Sequence, residues 1–529
     1  MTVPIDASRP PLPRKATRVV LYDYAYESFA IQYLASVLKW HGYPLDVYYD
    51  VSMNLDYLDE DLPFASFLSL TPEETAREIA TLRPDVVGFS LITVFFSKLR
   101  EIIRHLKRLL PDVVVVAGGP HCNLAPEEAL ETPGIDFVFQ GDADISLPDF
   151  LEKLERLGPE GVKALPVEAM PGIGNRWEGA NVLRGMGPLM EDLDRVPFPE
   201  KDDYYRVNPA LASMYTITCS RGCAYRCTYC NSNNLRRMYN SCGQRYYRMR
   251  SVPNVIAELK MAKEKYKPRS IMFLDSLFAG KKAWLEEFAV AYAREINLPY
   301  FCETNPNVHD ARTIDLLAQS GCTLLQFGFQ SANEEVRHSI LHRKESNARL
   351  TELVLRAKQR GVFVCVDHIA NLPGETKAHL EEAVRFYTLL RPNWVNLGFL
   401  QFYPKAEIIE IALARRVIRP EDVPAINRGE YQHSFRLVSK SDLSEYYVTL
   451  PMRFFAAFKL PRRLGSKVNA AMDNPRLARL LAPLGSVFIY ASRIVCAFTD
   501  RRDFLVRHHV QRNLRVVAIL LKKKVMPHG

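Results

Sequence analysis

Residues 214–230 read MYTITCSRGCAYRCTYC, an apolar run of strand character that passes straight into a loop carrying Cys219, Cys223, Cys227 and Cys230. Four of the ten cysteines thus fall within twelve positions, with arginines and aromatics between them. The other six, Cys122, Cys242, Cys302, Cys322, Cys365 and Cys496, are scattered and read as small interior side chains. The first residues, MTVPIDASRPPLPRKATR, are proline-rich and polar, without the apolar core of a secretory signal. Export is not indicated, and a cytoplasmic, reducing compartment turns clustered thiols toward metal or redox chemistry. Structural zinc sites pair two CxxC knuckles a dozen or more residues apart. Here Cys223, Cys227 and Cys230 form one CxxxCxxC with no second pair at that distance. Three thiolates on one tight loop suit three irons of a cubane cluster and leave a fourth iron open to a ligand.

Outward from this loop the chain alternates strand and helix. VPNVIAELKMAKEKY is helical, SIMFLD a strand, AWLEEFAVAYAREI and TIDLLAQSG helices, and TLLQFGFQS a strand. ARLTELVLRAKQRG then precedes VFVCVDHIA, and LEEAVRFYTLLRP precedes VNLGFLQFYP. Such βα units over residues 211–410 predict a partial TIM-type barrel whose functional groups lie at the C-terminal strand ends, where the cysteine loop falls.

Residues 18–157 carry a second α/β pattern: RVVLYDY, LDVYYDV, PDVVGFSL, VVVVAGG and FVFQGD are apolar strands separated by amphipathic helices. Continuous apolar runs predict a parallel, doubly wound, Rossmann-like domain covered on both faces. Ligands of such sheets sit beyond the carboxyl ends of the strands, where Ser90, Gly118 and Gly119 fall. Residues 1–17 read as a flexible arm, 158–210, rich in proline and glycine, as a linker, and 411–529 as a basic, mainly helical region.

The loop GCAYRCTYC resembles the signature of the radical S-adenosylmethionine superfamily. The resemblance implies that Cys223, Cys227 and Cys230 ligate a 4Fe-4S cluster, that S-adenosylmethionine (SAM) chelates the open iron, and that Tyr229 lies against the adenine. It also implies reductive cleavage of SAM to a 5′-deoxyadenosyl radical. SIMFLDSLF looks like the segment receiving the SAM amino group, at Asp275 and Ser276, although an acidic residue there equally serves as a helix cap. LLQFGFQSAN resembles a strand whose relatives carry Glu-Ser, so Gln330 and Ser331 stand at ribose-binding positions. Pro373, Gly374 and Glu375 read as a turn with a helix cap.

The first domain, with Ser90, Gly118-Gly119 and a closing GDAD turn at Gly141, Asp142 and Asp144, resembles the cobalamin-binding domain of the cobalamin-dependent radical enzymes. In that family the serine and glycines make room for the cofactor's nucleotide tail. One departure stands out: Asp23-Tyr24-Ala25-Tyr26-Glu27-Ser28 has no histidine where related cobalamin domains supply one to cobalt. His121 in the Gly-Gly loop reads as a hydrogen-bonding residue, not a cobalt ligand. The resemblance implies methylation of an unactivated carbon of a small-molecule or lipid-like substrate at the cost of two SAM molecules. Relatives also perform cyclisation or rearrangement, including on tetrapyrroles, and a non-catalytic iron-sulfur redox or scaffold protein is the alternative of another class. An electron donor such as flavodoxin or ferredoxin is implied with the cluster.

The net charge of +9 is a C-terminal property: residues 451–529 hold 16 Lys and Arg against 3 Asp and Glu, so the preceding 450 residues are net −4. No nucleic-acid module accompanies this charge, and no nucleic acid is expected. LLAPLGSVFIYASRIVCAF is apolar, but Arg493 and Pro483 make a bilayer span costly. Cations beside leucines suit peripheral contact with an anionic membrane.

Overall fold

The computed structural model describes residues 12–24, 27–53, 68–430, 443–481, 488, 500 and 502–525. The first sheet has the order β2-β1-β3-β4-β5-β6-β7. Its strands β1 (Val19–Tyr24), β2 (Leu45–Asp50), β3 (Val86–Ser90), β4 (Val114–Gly118) and β5 (Phe137–Phe139) are mutually parallel. The order 2-1-3-4-5 is that of a doubly wound sheet, with its crevice beyond β1 and β3. The helices α1 (Phe29–Trp40), α2 (Pro72–Thr81), α3 (Phe96–Leu109), α4 (Pro120–Leu124), α5 (Pro126–Leu130) and α6 (Ser146–Lys163) connect them. Two buried layers result: Val19, Leu21, Val47 and Val116 pack on one face of the sheet, Val20, Tyr22, Val87 and Val115 on the other.

The stretch 158–210 is more than the linker its composition predicts. Ile173–Trp177 (β6) and Ala180–Val182 (β7) add an antiparallel hairpin to the edge beside β5. Buried Arg184 fixes it by donating to the Ile173 and Leu165 carbonyls and to Asn175. Strands of five and three residues, rich in Gly and Asn, are too short to announce a period of two. Helix α7 (Asp202–Val207) then leads to the second sheet.

That sheet is parallel throughout, in the order β15-β14-β13-β12-β11-β8. It comprises β8 (Met214–Ile217), β11 (Ser270–Phe273), β12 (Tyr300–Thr304), β13 (Cys322–Gln330), β14 (Phe363–Ala370) and β15 (Trp394–Phe399). Six strands with β8 and β15 unpaired to each other make a barrel that does not close. A two-residue ladder between β9 (Ser220–Arg221) and β10 (Arg248–Met249) steadies the cysteine loop. The helices are α8 (Asn231–Ser241), α9 (Val252–Lys265), α10 (Lys282–Glu295), α11 (Ala311–Ser320), α12 (Asn347–Gln359), α13 (Lys377–Leu390) and α14 (Glu407–Ala414). Their inner faces and the strands share one core that includes Ile217, Phe273, Phe301, Leu325 and Val364.

The C-terminal region is helical as expected, with α15 (Val423–Asn427), α16 (Ser444–Lys459), α17 (Arg462–Ala471), α18 (Pro475–Leu481) and α19 (Phe504–Val525). It spans both domains: Tyr447, Leu450 and Phe454 of α16 enter the barrel core, while Val516 and Leu520 of α19 enter the first domain's core. The apolar stretch around Arg493 lies almost wholly outside the described residues. Among the described residues no helix is long and apolar enough to cross a membrane.

Candidate cofactor site between the two domains

The cysteine loop starts where β8 ends, and its root is pinned by Asp275. Cys219 N–H donates to that carboxylate at 2.9 Å, and Ser220 Oγ donates at 2.5 Å. Burial pushes the Asp275 carboxyl up to about 6 against these hydrogen bonds. Asp275, expected from the sequence to receive an amino group or to cap a helix, holds the start of the cysteine loop; a carboxylate just past β11 reaches the end of the neighbouring strand β8. Ser276 next to it lines the interdomain cavity described below. Cys219 is buried and serves as the anchored residue.

Beyond the anchor, Cys227 is buried and Cys223 and Cys230 are half-buried. Burial first, then the neighbouring thiols Cys230 and Cys227, push the Cys223 thiol up to about 11. Three thiols within one another's field on one loop fit a cluster, whose iron takes the place of the protons. A tetrahedral zinc would draw sulfurs to about 3.8 Å from one another. Among the described residues no three His, Cys, Asp or Glu gather around such a single-ion point.

A buried cation faces the thiols. Arg343 donates through Nη1 to Cys227 Sγ at 3.5 Å and to the Tyr229 hydroxyl at 3.4 Å, and pairs with Glu345. Fully buried Arg337 builds the segment that presents it, donating to the Ser331 carbonyl, to the Glu345 carbonyl at 3.1 Å and to Asn347 Oδ1 at 2.8 Å, with its guanidinium 4.0 Å from the Phe329 ring. Tyr229 packs against the apolar cluster that includes Val336, Ile340 and Leu341. Gln330 ends β13 in a left-handed conformation, φ +75°, at a break in the β13–β14 register. A non-glycine there costs of order 1–3 kcal/mol, a strain found at ligand sites. Ser331 is different: buried, its Oγ accepts the Asn333 N–H at 3.3 Å, so it caps a turn.

The barrel lumen adds groups that the sequence reading passed over. Asp367 on β14 accepts from Gln326 at 2.9 Å and Asn396 at 3.0 Å, and Gln326 also reaches Glu303 on β12 at 3.5 Å. Burial, with Asp367 and Asp275 near, pushes the Glu303 carboxyl up to about 8; burial also raises Asp367, to about 6. Polar residues inside continuous apolar strands were the available signal. The helix cap expected at Glu375 falls one residue later, on Thr376, whose Oγ1 accepts the His379 N–H at 3.4 Å, while Glu375 closes the turn by accepting the Asn371 N–H at 2.8 Å and the Tyr447 hydroxyl of α16 at 2.8 Å.

Between the domains lies a cavity of about 450 Å³. Ser90, Gly118, Gly119 and Gly141 line it from the first domain, and Ser220, Arg221, Gly222 and Ser276 from the barrel. Gly119 has φ +92°, and a Cβ there would stand 2.8 Å from Ser90 Oγ; at Gly141, φ +100°, it would stand 2.1 Å from the Tyr239 hydroxyl. Ser90 Oγ makes no hydrogen bond to a described side chain or backbone group, which leaves it free for a ligand. This cradle of bare backbone and hydroxyl fits a cofactor tail. Arg221 closes the wall, paired with Asp144 and, at 3.3 Å, Asp142, and stacked 4.9 Å from the Tyr33 ring. Burial alone would raise the Asp142 carboxyl, but Arg221 and Arg248 pull it below its ordinary value. Among the described residues no histidine lines the cavity. His121 points into the helix layer, 3.2 Å from Thr93 Oγ1 and 4.1 Å from the Phe96 ring, and burial lowers it to about 4.

A sheet with its cofactor crevice turned toward a thiol-bearing barrel mouth defines an enzyme that brings a cofactor of each domain together. The B12 binding domain family matches residues 17–151, and the Radical SAM superfamily matches residues 217–387. The chain belongs to the cobalamin-dependent radical SAM enzymes, and its cofactors are a 4Fe-4S cluster, SAM and cobalamin. It is 24% identical over 394 residues to the uncharacterized methyltransferase PH0819 of Pyrococcus horikoshii, across 73% of this chain and 79% of that protein. To the cytidylyl-2-hydroxyethylphosphonate methyltransferase of Streptomyces wedmorensis it is 25% identical over 427 residues, 73% and 77% of the two chains. The anaerobic magnesium-protoporphyrin IX monomethyl ester cyclase of Rubrivivax gelatinosus matches at 22% over 72% of this chain and 65% of its own. The cobalamin-dependent SAM radical enzyme OxsB shares the fold, with a TM-score of 0.62 at 13% identity over 96% of this chain and 80% of that one.

Proposed function

We propose that this enzyme methylates an unactivated carbon of a small-molecule or lipid-like substrate. The observation that carries the reading is the single cavity lined by both the cobalamin-domain strand ends and the root of the cysteine loop. When bound, the cluster and SAM supply a carbon radical that removes hydrogen from an unreactive position, and cobalamin supplies a methyl group. The chain's own part is positioning. Cys223, Cys227 and Cys230 would hold the cluster, with Asp275 fixing the loop's start. Arg343, a buried cation beside Cys227, suits the SAM carboxylate. Gln330, Glu303 and Asp367 offer hydrogen-bond partners for its ammonium and hydroxyl groups. Ser90, Gly118, Gly119 and Gly141 would seat the cobalamin tail.

The competing reading, a radical cyclase, takes support from the cyclase relative. The two differ in products. Methyl transfer uses a second SAM and yields S-adenosylhomocysteine beside 5′-deoxyadenosine, whereas cyclisation yields 5′-deoxyadenosine alone. Anaerobic, reconstituted protein incubated with SAM, cobalamin and dithionite is expected to form both products, read by mass spectrometry. 5′-Deoxyadenosine without S-adenosylhomocysteine would decide for the cyclase.

A second observation concerns location. Helices α17 and α18 expose Arg462, Arg463, Lys467 and Arg476 together with Leu464, 49% exposed, and Leu480, 72% exposed. This pairing supports peripheral contact with an anionic bilayer and suits a lipid-like substrate.

A further inference from the structure

Between Tyr204 and Ala257 the chain has eight arginines and no Asp, Glu or Lys. Carboxylates from elsewhere neutralise four of them: Arg206 pairs with Asp203, Arg221 with Asp144, Arg248 with Asp142, and Arg250 with Glu258. Arg226 on the cysteine loop, Arg236 and Arg237 on α8, and Arg245 just past it have no carboxylate partner among the described residues. Arg226, Arg237 and Arg245 are exposed. Arg236 is held by Asn233 Oδ1 at 2.9 Å and lies in the field of Arg226, Arg237 and Cys223. Burial and its two cationic neighbours lower its pKa, so the free protein bears a like-charge cost at this spot. A cost of that kind is offset when an anionic partner arrives.

The patch is not part of the cavity: none of these four arginines lines it. It spans the cysteine loop and α8, with Arg226 and Arg237 exposed to solvent. Its distinguishing neighbour is Cys223, which places the positive charge beside one ligand of the cluster.

We propose that Arg226, Arg236 and Arg237 form the surface on which an acidic one-electron carrier protein docks to reduce the cluster. The inference rests on the reading of Cys223, Cys227 and Cys230 as cluster ligands and adds the face by which electrons enter. One electron passes from the reduced carrier to the cluster, the carrier leaves oxidised by one electron, and no atom or proton is transferred. Charge complementarity at such a face raises the association rate and makes it fall with salt.

The test uses the full-length, cluster-loaded protein, a reduced acidic flavodoxin as the probe, and stopped-flow detection of cluster reduction at low and high salt. Arg226→Glu/Arg237→Glu is expected to lower the second-order rate about tenfold or more at low salt and to flatten its salt dependence. Iron content and dithionite-driven 5′-deoxyadenosine formation should stay at the wild-type level. Arg462→Glu/Arg463→Glu, equal in charge change but distant in sequence, should leave the flavodoxin rate unchanged. An unchanged rate and salt slope in the first variant would overturn the proposal. So would an equal loss with flavodoxin and dithionite, since the defect would then lie in the cluster and not at the docking face. Wild-type protein that forms no 5′-deoxyadenosine even with dithionite would instead overturn the reading of the site itself.

Discussion

Asp23 shows how much a single side chain can be asked to do at the end of a strand. It sits 2% exposed at the tip of β1, accepts the Tyr204 hydroxyl at 2.5 Å and the Ser28 N–H at 3.0 Å, and so ties the first domain to α7. Burial pushes its carboxyl up to about 7 despite these donors. The folded protein then keeps a proton that the unfolded chain releases near pH 4, so unfolding liberates a proton between about pH 4 and pH 7. The group's contribution therefore falls as pH rises through this window and is level above it. Stability of wild-type protein should drop by about 2 kcal/mol between pH 5 and pH 8 relative to Asp23→Asn, in denaturant titrations at each pH. Parallel pH profiles of the two proteins would refute the assignment. Residues of this kind were not legible in the sequence, because burial comes from Tyr204, 181 positions away. The CxxxCxxC of Cys223, Cys227 and Cys230 was legible, since its spacing is local. Arg343 was not: its role depends on Arg337 and Glu345 folding it back toward Cys227.

At the scale of elements, the alternation of apolar strands and amphipathic helices located almost every piece of both sheets. The exceptions share a physical cause. Strand β12, YFCET, was hidden between two helices because five residues ending in Glu and Thr lack the apolar run of its neighbours, and its Glu303 faces the lumen instead of the core. The β6–β7 hairpin was hidden in a glycine-rich stretch for a similar reason. The β4–α4 turn carries a clear consequence. Gly119 is left-handed with its would-be Cβ 2.8 Å from Ser90 Oγ and 3.0 Å from Leu91 N, so Gly119→Ala must either move β3's end or vacate the turn. Loss of about 2 kcal/mol in stability is expected. Cobalt content after reconstitution with cobalamin should fall at least tenfold while iron content stays near wild type. Full cobalt retention would show that this turn does not seat the cofactor.

The whole molecule is held by more than two neighbouring cores. Lys201, fully buried, donates to Thr216 Oγ1 of β8 at 2.7 Å and lies 3.5 Å from Glu27 of the first domain. Helix α19 runs back from the barrel core at Leu505 to the first domain's core at Leu520, with Lys523 paired to Glu78 of α2 at 2.6 Å. The C-terminal charge surplus was plain in the sequence, but its division was not: α19 buries Val516 and Leu520 and pairs Lys523 with Glu78 while Arg515 and Lys522 stay exposed beside Leu514 and Leu521, and α17 and α18 leave Arg462, Arg463, Lys467 and Arg476 in solvent beside Leu464 and Leu480. The proposed membrane contact is assigned to α17–α18, where Arg462, Arg463, Lys467 and Arg476 flank the two exposed leucines. Each cation near an anionic surface contributes about 1 kcal/mol at physiological salt, and the exposed leucines add a salt-independent part. Cosedimentation with phosphatidylserine-containing vesicles at low salt should capture the protein, and vesicles of phosphatidylcholine alone should not. Arg462→Glu/Arg463→Glu should lower the partition coefficient by about tenfold or more, whereas Arg226→Glu/Arg237→Glu should leave it unchanged. Because the same two variants are expected to act in the opposite pattern on cluster reduction, a general effect of charge reversal would alter both assays together. No binding to the anionic vesicles would return α17 and α18 to the role of a solvated cap on the barrel.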